Sequence, residues 1–156
     1  MIDKQIELQD HELALCRLIG NMRSIVARSA SVKNVQMGKQ SPLEIDENGV
    51  IGEYAFCKMW NIFFDCSVNP RSGSFDCVLM GKAFDIKTTT YKSGRLTATL
   101  KRNSDVDCYA LAILDKNTVI FPGWVYADDF CTEENISDLG HGRGYVMDQS
   151  KLRAWK

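Results

Sequence analysis

The 156-residue chain is predicted to fold as an α/β or α+β sandwich, a central mixed β-sheet flanked by helices. Three observations carry this. An apolar stripe with helical spacing occupies the first thirty residues. A tight hairpin signal sits at mid-chain around Gly81-Lys82. The run Cys108-Tyr109-Ala110-Leu111-Ala112-Ile113-Leu114 is apolar throughout, which suits a central strand covered on both faces.

The elements follow in order. Residues 2–30 read as one helix, with Ile6, Leu8, Leu13, Leu15, Leu18, Ile19, Met22, Ile25 and Val26 on its stripe and Gly20 marking a break or a close contact. Residues 31–41 are polar and read as a loop. Ser41-Pro42-Leu43-Glu44 has the form of a capping box with Pro at the first helical position. The helix it opens runs to about Trp60, with Asn48-Gly49 as the place for an interruption. Asn69-Pro70-Arg71-Ser72-Gly73 is a loop leading into the hairpin. Residues 95–100 alternate and read as a third strand, 108–114 as a buried fourth, and 118–121 as a fifth after the turn Asp115-Lys116-Asn117. A short helical piece is expected at 127–130 and an edge strand at 145–147. Gly140-His141-Gly142-Arg143-Gly144 lacks the strand–loop–helix setting and the Lys-Ser/Thr of a phosphate-cradling loop, and His141 has no partner pattern.

The hairpin holds the chemistry. A two-residue turn at Gly81-Lys82 pairs Leu79 with Phe84, Val78 with Asp85, Cys77 with Ile86 and Asp76 with Lys87. Paired residues share a side and sides alternate. Cys77, Leu79, Phe84 and Ile86 therefore make an apolar face, while Asp76, Val78, Asp85, Lys87 and Thr89 make the other. Asp is a poor strand former, so two in one hairpin need a reason. A solvated face with an Asp76–Lys87 ion pair is one account. A site for a divalent metal and a phosphodiester is the other. Glu53 sharpens the choice, because its helical neighbours Gly49, Val50, Phe56 and Cys57 are small or apolar, and a carboxylate there is costly unless it is paired or bound to metal. The geometry expected is a helix face packed on the hairpin's polar side, delivering Glu53 beside Asp76 and Asp85.

Composition bounds the rest. The chain is 45% hydrophobic and 25% charged with a net charge of −1, ordinary for one globular domain. The division expected is an N-terminal helical extension over residues 1–40 and a core over 41–156. No apolar run is long enough to span a membrane and the N-terminus lacks a signal-peptide pattern, so an intracellular, cytoplasmic location is expected. Six cysteines and two histidines include no C-x-x-C pair, which favours reduced buried thiols over zinc. Any nucleic-acid contact must rest on local positive charge: Arg17, Arg23, Arg28, Lys33 and Lys39; Lys92, Arg95, Lys101 and Arg102; or Arg143, Lys151, Arg153 and Lys156. Each cluster is equally a solvated surface when taken alone.

Glu53 in Gly52-Glu53-Tyr54-Ala55-Phe56, then Asp76, then Asp85-Ile86-Lys87, resembles the PD-(D/E)XK nuclease superfamily, which includes many restriction endonucleases, junction resolvases and phage nucleases. The resemblance covers roughly residues 49–124. Phe75 stands where many members have Pro. The resemblance implies a restriction-endonuclease-like core of αβββαβ topology with an extra N-terminal helix. The helix it expects between third and fourth strands is poorly marked in residues 101–107.

The resemblance further implies a Mg²⁺-dependent phosphodiesterase, with Mn²⁺ able to substitute, acting on DNA as an endonuclease, RNA being the other substrate. Asp76, Asp85 and the Ile86 carbonyl would ligate the metal, and Glu53 a second metal or a metal-bound water. Lys87 would be a fixed charge at the reacting phosphate. Lys92, Arg95, Lys101, Arg102 and Thr89 are the candidate nucleic-acid contacts, and Tyr91 a candidate for base stacking. Cutting both strands often takes two active sites, so the N-terminal stripe suits a homodimer contact or a cover for the sheet. A phage source would place the protein in host cytoplasm. The competing readings are an inactive or structure-selective nucleic-acid-binding domain on the same fold, and a protein-interaction domain whose charges form surface pairs.

Overall fold

The computed structural model describes residues 4–29, 41–69 and 75–156. The expected loop at 31–41 falls almost wholly outside them, as do Lys33, Lys39 and residues 70–73 of the loop before the hairpin. Among the described residues two sheets form. The larger has the order β1 (Lys4–Glu7), β6 (Thr118–Tyr126), β5 (Cys108–Asp115), β3 (Lys82–Thr89), β2 (Cys77–Leu79), and the smaller has β4 (Leu96–Thr99), β8 (Arg143–Met147), β7 (Ile136–Asp138). Helices α1 (Asp10–Ser29) and α2 (Pro42–Trp60) cover one face of the larger sheet, and α3 (Ala127–Phe130) follows β6. The architecture is mixed, α+β, with a mixed sheet flanked by helices.

The fully apolar β5 earns its central place by burying both faces. Cys108, Ala110, Ala112 and Leu114 join a core with α1, α2, Phe56, Phe84 and Phe121. Tyr109, Leu111 and Ile113 join a second core with Leu96, Phe130 and Met147 under the smaller sheet. β5 runs parallel to β3 and antiparallel to β6. The register of β5 on β6 shifts between Leu111 and Ile113, and this bulge lies opposite Pro122, which has no N–H to give the ladder. β6 thus continues past the expected end at Phe121.

Several expectations change. Residues 4–7 form an edge strand on β6 and not the first turn of a helix. The cause is local: Glu12 reaches back to the Gln9 N–H at 2.7 Å, so the helix starts after Gln9 in half a capping box. The third expected strand exists as β4, but it pairs with β8 in the smaller sheet. Its expected position beside the hairpin is taken by β5. The crossover between parallel β3 and β5 is made through β4 and turns, with no helix over residues 100–107. β8 is the middle strand of its sheet and not an edge. α2 begins as expected, with Ser41 Oγ accepting the Glu44 N–H at 3.2 Å. It runs uninterrupted through Asn48-Gly49 and ends on Asn61 in the left-handed region (φ 50°). Cys16, Cys57, Cys77 and Cys108 are buried free thiols, whereas Cys66 is exposed.

Candidate active site

The hairpin turns one residue earlier than its glycine suggested. Met80 (φ 50°) and Gly81 (φ 74°) are the two turn residues, both left-handed as in a type I′ turn, so Cys77 pairs with Phe84 and Val78 with Ala83. The register is displaced by two residues from the expected one. Two is the period of a strand, so the faces survive. The partner of Asp76 changes: the Asp76 N–H donates to the Phe84 carbonyl at 2.9 Å, so Asp76 meets β3 at Phe84, already the partner of Cys77, and not at Lys87.

Pairing of β2 with β3 ends at Phe84, which leaves the next stretch of β3 with an edge. Asp76 caps it, its Oδ2 accepting the Ile86 N–H at 2.7 Å. Lys87 Nζ lies 3.0 Å from Asp85 Oδ1, so the ion pair on this face joins neighbours along β3 and not across the hairpin. Burial pushes the Asp76 carboxyl well above the usual carboxylate range, and Glu53 and Asp85 add to it against the Ile86 N–H and Lys87. For Lys87, burial works against the charge, but Asp85, Asp76 and Glu53 outweigh it and raise the pKa. Lys87 is therefore an ammonium at neutral pH, a fixed positive charge and not a base.

Glu53 reaches this cluster by another route than expected. α2 packs on the apolar side of β3, with Val50, Ile51, Ala55, Phe56 and Cys57 in one core with Cys77, Leu79, Phe84 and Ile86. Gly52 permits the approach, since a Cβ there would lie 2.0 Å from Thr88 Oγ1. Glu53 thus acts on Asp76 and Lys87 from a helix packed on the apolar side of the hairpin and not on its polar side. A second close crossing, where a Cβ on Gly20 would lie 2.6 Å from Glu47 Cα, brings α1 against α2. There Arg23 Nη1 donates to Glu53 Oε2 at 3.0 Å, Nη2 to the Asp65 carbonyl at 2.7 Å and Nε to the Ser67 carbonyl at 2.9 Å.

Comparison of the chain with protein-family models, with curated proteins and with solved structures finds no match. What can be said of the site rests on its own chemistry.

A cavity of about 810 Å³ opens over the polar face of β3, lined by Asp85, Lys87, Thr89, Tyr91, Arg95, Lys101, Asn103 and Tyr109, with Asp138 and Leu139 also on its wall. Of the candidate nucleic-acid contacts it gathers Thr89, Arg95 and Lys101. Lys92 and Arg102 are not on its wall: Lys92 lies 3.5 Å from Asp115 and Arg102 pairs with Asp128. Thr89 Oγ1 accepts the Tyr91 N–H at 3.2 Å, which shapes the turn after β3. Among the described residues no three His, Cys, Asp or Glu side chains are grouped as a ready metal site. The donor set nonetheless suits a hard cation. It offers the carboxylate oxygens of Asp76 and Asp85, the ligand type that hard divalent ions take, and burial, Glu53 and Asp85 push the Asp76 pKa up.

The sequence reading sets Arg23 in a cluster of cations open to nucleic acid or to solvent. No local signal ties residue 23 to residue 53, and the contact exists only because two helices cross closely at Gly20. Asn103, Tyr109 and Asp138 were also missed, and they reach the cavity from separate strands and loops. No helix among the described residues is long and apolar enough to cross a membrane.

Proposed function

We propose that the chain is a Mg²⁺-dependent nuclease of the PD-(D/E)XK type, hydrolysing phosphodiester bonds in DNA as an endonuclease. The observation that carries this is the hairpin itself. Asp76 accepts the N–H of Ile86, the residue after Asp85, at the edge of β3, and Lys87 lies 3.0 Å from Asp85 on the wall of a cavity that also holds Arg95 and Lys101. Asp76, Asp85 and the backbone carbonyl of Ile86 would hold the ion. When bound, it supplies Lewis-acid polarisation of the phosphoryl oxygen and acidifies a water.

The chain's own residues account for the rest. Lys87, held as an ammonium, offers a fixed charge where negative charge builds on the phosphorus oxygens. Arg95 and Lys101 would contact flanking phosphates, giving affinity without sequence readout. The Ile86 N–H fixes the Asp76 carboxylate in orientation, so little reorganisation is needed on binding. Supercoiled plasmid, single-stranded DNA and RNA should be incubated with the protein and Mg²⁺, Mn²⁺ or EDTA, beside the Asp85→Ala Lys87→Ala variant. Metal-dependent nicking of the plasmid, lost in the variant, is expected. Absence of both cleavage and Mn²⁺ binding would refute the nuclease and leave a nucleic-acid-binding domain.

A further inference from the structure

We propose that the outward face of α1 pairs with the same face of a second copy of this chain, the two helices running antiparallel about a two-fold axis level with Gly20. This pairing uses none of the residues of the candidate active site.

α1 is apolar on two opposite sides, and the N-terminal stripe of the sequence divides between them. Leu13, Cys16 and Ile19 lie in the core shared with α2. Leu15, Leu18, Met22 and Ile25 face away from it and are 46%, 57%, 44% and 60% exposed. Their spacing of three, four and three residues keeps them in one row, the a and d pattern of a paired helix. A single exposed leucine needs no account. A row of four does, because a helix apolar on both sides is ordinarily covered on both and exposed apolar patches mark interaction surfaces.

Position and charge point to the same helix as the occupant. The spacing is symmetric about residue 20, so reversal about that point sets Leu15 against the partner's Ile25 and Leu18 against the partner's Met22. The face is thus self-complementary, as a two-fold contact requires. No charged residue interrupts the row. Asp10 opens the helix and Arg28 lies in its last turn, and both are exposed. They stand about five helical turns apart and therefore on the same edge of the row. Antiparallel pairing brings each Arg28 beside the partner's Asp10, whereas parallel pairing would leave them a helix length apart. Arg28 also has Asp46 of its own chain at 3.5 Å, so the contact at the rim sets orientation more than affinity. One helix face falls short of the roughly 800 Å² per partner of a standard interface, and a dimer dissociating in the micromolar range is expected.

Sedimentation of the full chain from about 1 to 200 µM, a range that brackets such a Kd, tests this. The 17.6 kDa monomer should pass to a dimer as concentration rises. Leu18→Glu Met22→Glu should raise the Kd at least about a hundredfold, with circular dichroism and thermal unfolding reporting that the fold is kept. Arg28→Glu and Asp10→Arg should each weaken the dimer about threefold to tenfold, and their combination should return it to within about threefold of the wild type. A chain that stays monomeric throughout, its row then covered from within the chain or by another kind of partner, would overturn the proposal. So would a dimer that Leu18→Glu Met22→Glu leaves intact, or a combined charge exchange that restores nothing. If Leu18→Glu Met22→Glu does not fold, Ile25→Lys, at the most exposed position of the row, takes its place with a loss of at least about tenfold expected.

Discussion

Glu12 and Asp76 are both carboxylates drawn out of water, and their surroundings push them in opposite directions. Glu12 lies between α1 and α2. Its oxygens take the Gln9 N–H at 2.7 Å, the Tyr54 hydroxyl at 2.9 Å and the Lys58 ammonium at 2.6 Å. Burial raises its pKa, but these partners outweigh burial and bring it from 4.5 to about 2. Asp76 has a backbone N–H and Lys87 on its side, but burial, Glu53 and Asp85 against it, and its pKa goes up. One carboxylate is surrounded by what it needs, as a structural lock is. The other has its pKa pushed up by burial and by neighbouring acids, and perturbed carboxylates of that kind cluster at functional sites.

The largest effect should come from neutralising the second. Asp76→Asn keeps an acceptor for the Ile86 N–H and removes the charge. We expect metal-dependent cleavage to fall by at least about a hundredfold, with a melting temperature equal to or above that of the wild type. A large loss of stability would place Asp76 with Glu12 as a structural group.

Gly20 serves both regions, since the helix crossing that seats Glu12 against Tyr54 and Lys58 also seats Arg23 against Glu53. Gly20→Ala adds a methyl 2.6 Å from the Glu47 Cα, and backbone cannot swing aside as a side chain can. Overpacking costs about 1–3 kcal/mol, against about 1 kcal/mol gained in helix propensity. A net loss of about 1–2 kcal/mol is expected, read by urea unfolding. A stabilised variant would show that the crossing has slack.

Glu12→Gln should act on stability alone. Lys58 is 36% exposed, so solvent screens part of the pair, and a loss of about 1–2 kcal/mol is expected at neutral pH. The pH dependence has a definite sign. A carboxylate whose folded pKa lies below its ordinary value stabilises the fold fully above that value. The contribution is then lost as pH falls from 4.5 towards about 2. Urea unfolding of the wild type should weaken through that window, and the Gln variant should lack this component. Parallel curves for the two proteins would contradict it.

The same contrast explains how much was legible in the sequence. The polar and apolar faces of the hairpin could be read because strand sides alternate, and they survived a wrong turn because the error was an even number of residues. The buried strand at 108–114 could be read from its unbroken apolar run. The assignment of β4 to another sheet could not, because alternation in four residues says which face is buried and not what it pairs with. The route of Glu53 was misjudged for a related reason: helical spacing shows that residue 53 borders an apolar stripe, but not which side of the sheet the stripe covers. Arg23 and the Glu12 cluster depend on helix–helix contact between residues 30 or more apart, to which no local pattern points.

The smallest effect lies at the hairpin tip, away from both carboxylates. Met80 is 87% exposed and holds φ at 50°, a conformation that costs a residue with a Cβ about 1–2 kcal/mol unless its side chain is short and polar, as in Asn. It contributes no packing in return. Asn followed by Gly is the preferred pair for a type I′ turn, so Met80→Asn should stabilise the fold by about 0.5–1 kcal/mol, a rise of about 1–4 °C in melting temperature for a domain of this size. It should also leave Mn²⁺ affinity unchanged, because the faces and the bond from the Ile86 N–H to Asp76 are preserved. Had the turn lain at Gly81-Lys82, Met80 would be an ordinary strand residue and Asn a poorer one. The sign of the stability change therefore decides between the two registers, and with them whether Asp76 meets β3 at Phe84 or at Lys87.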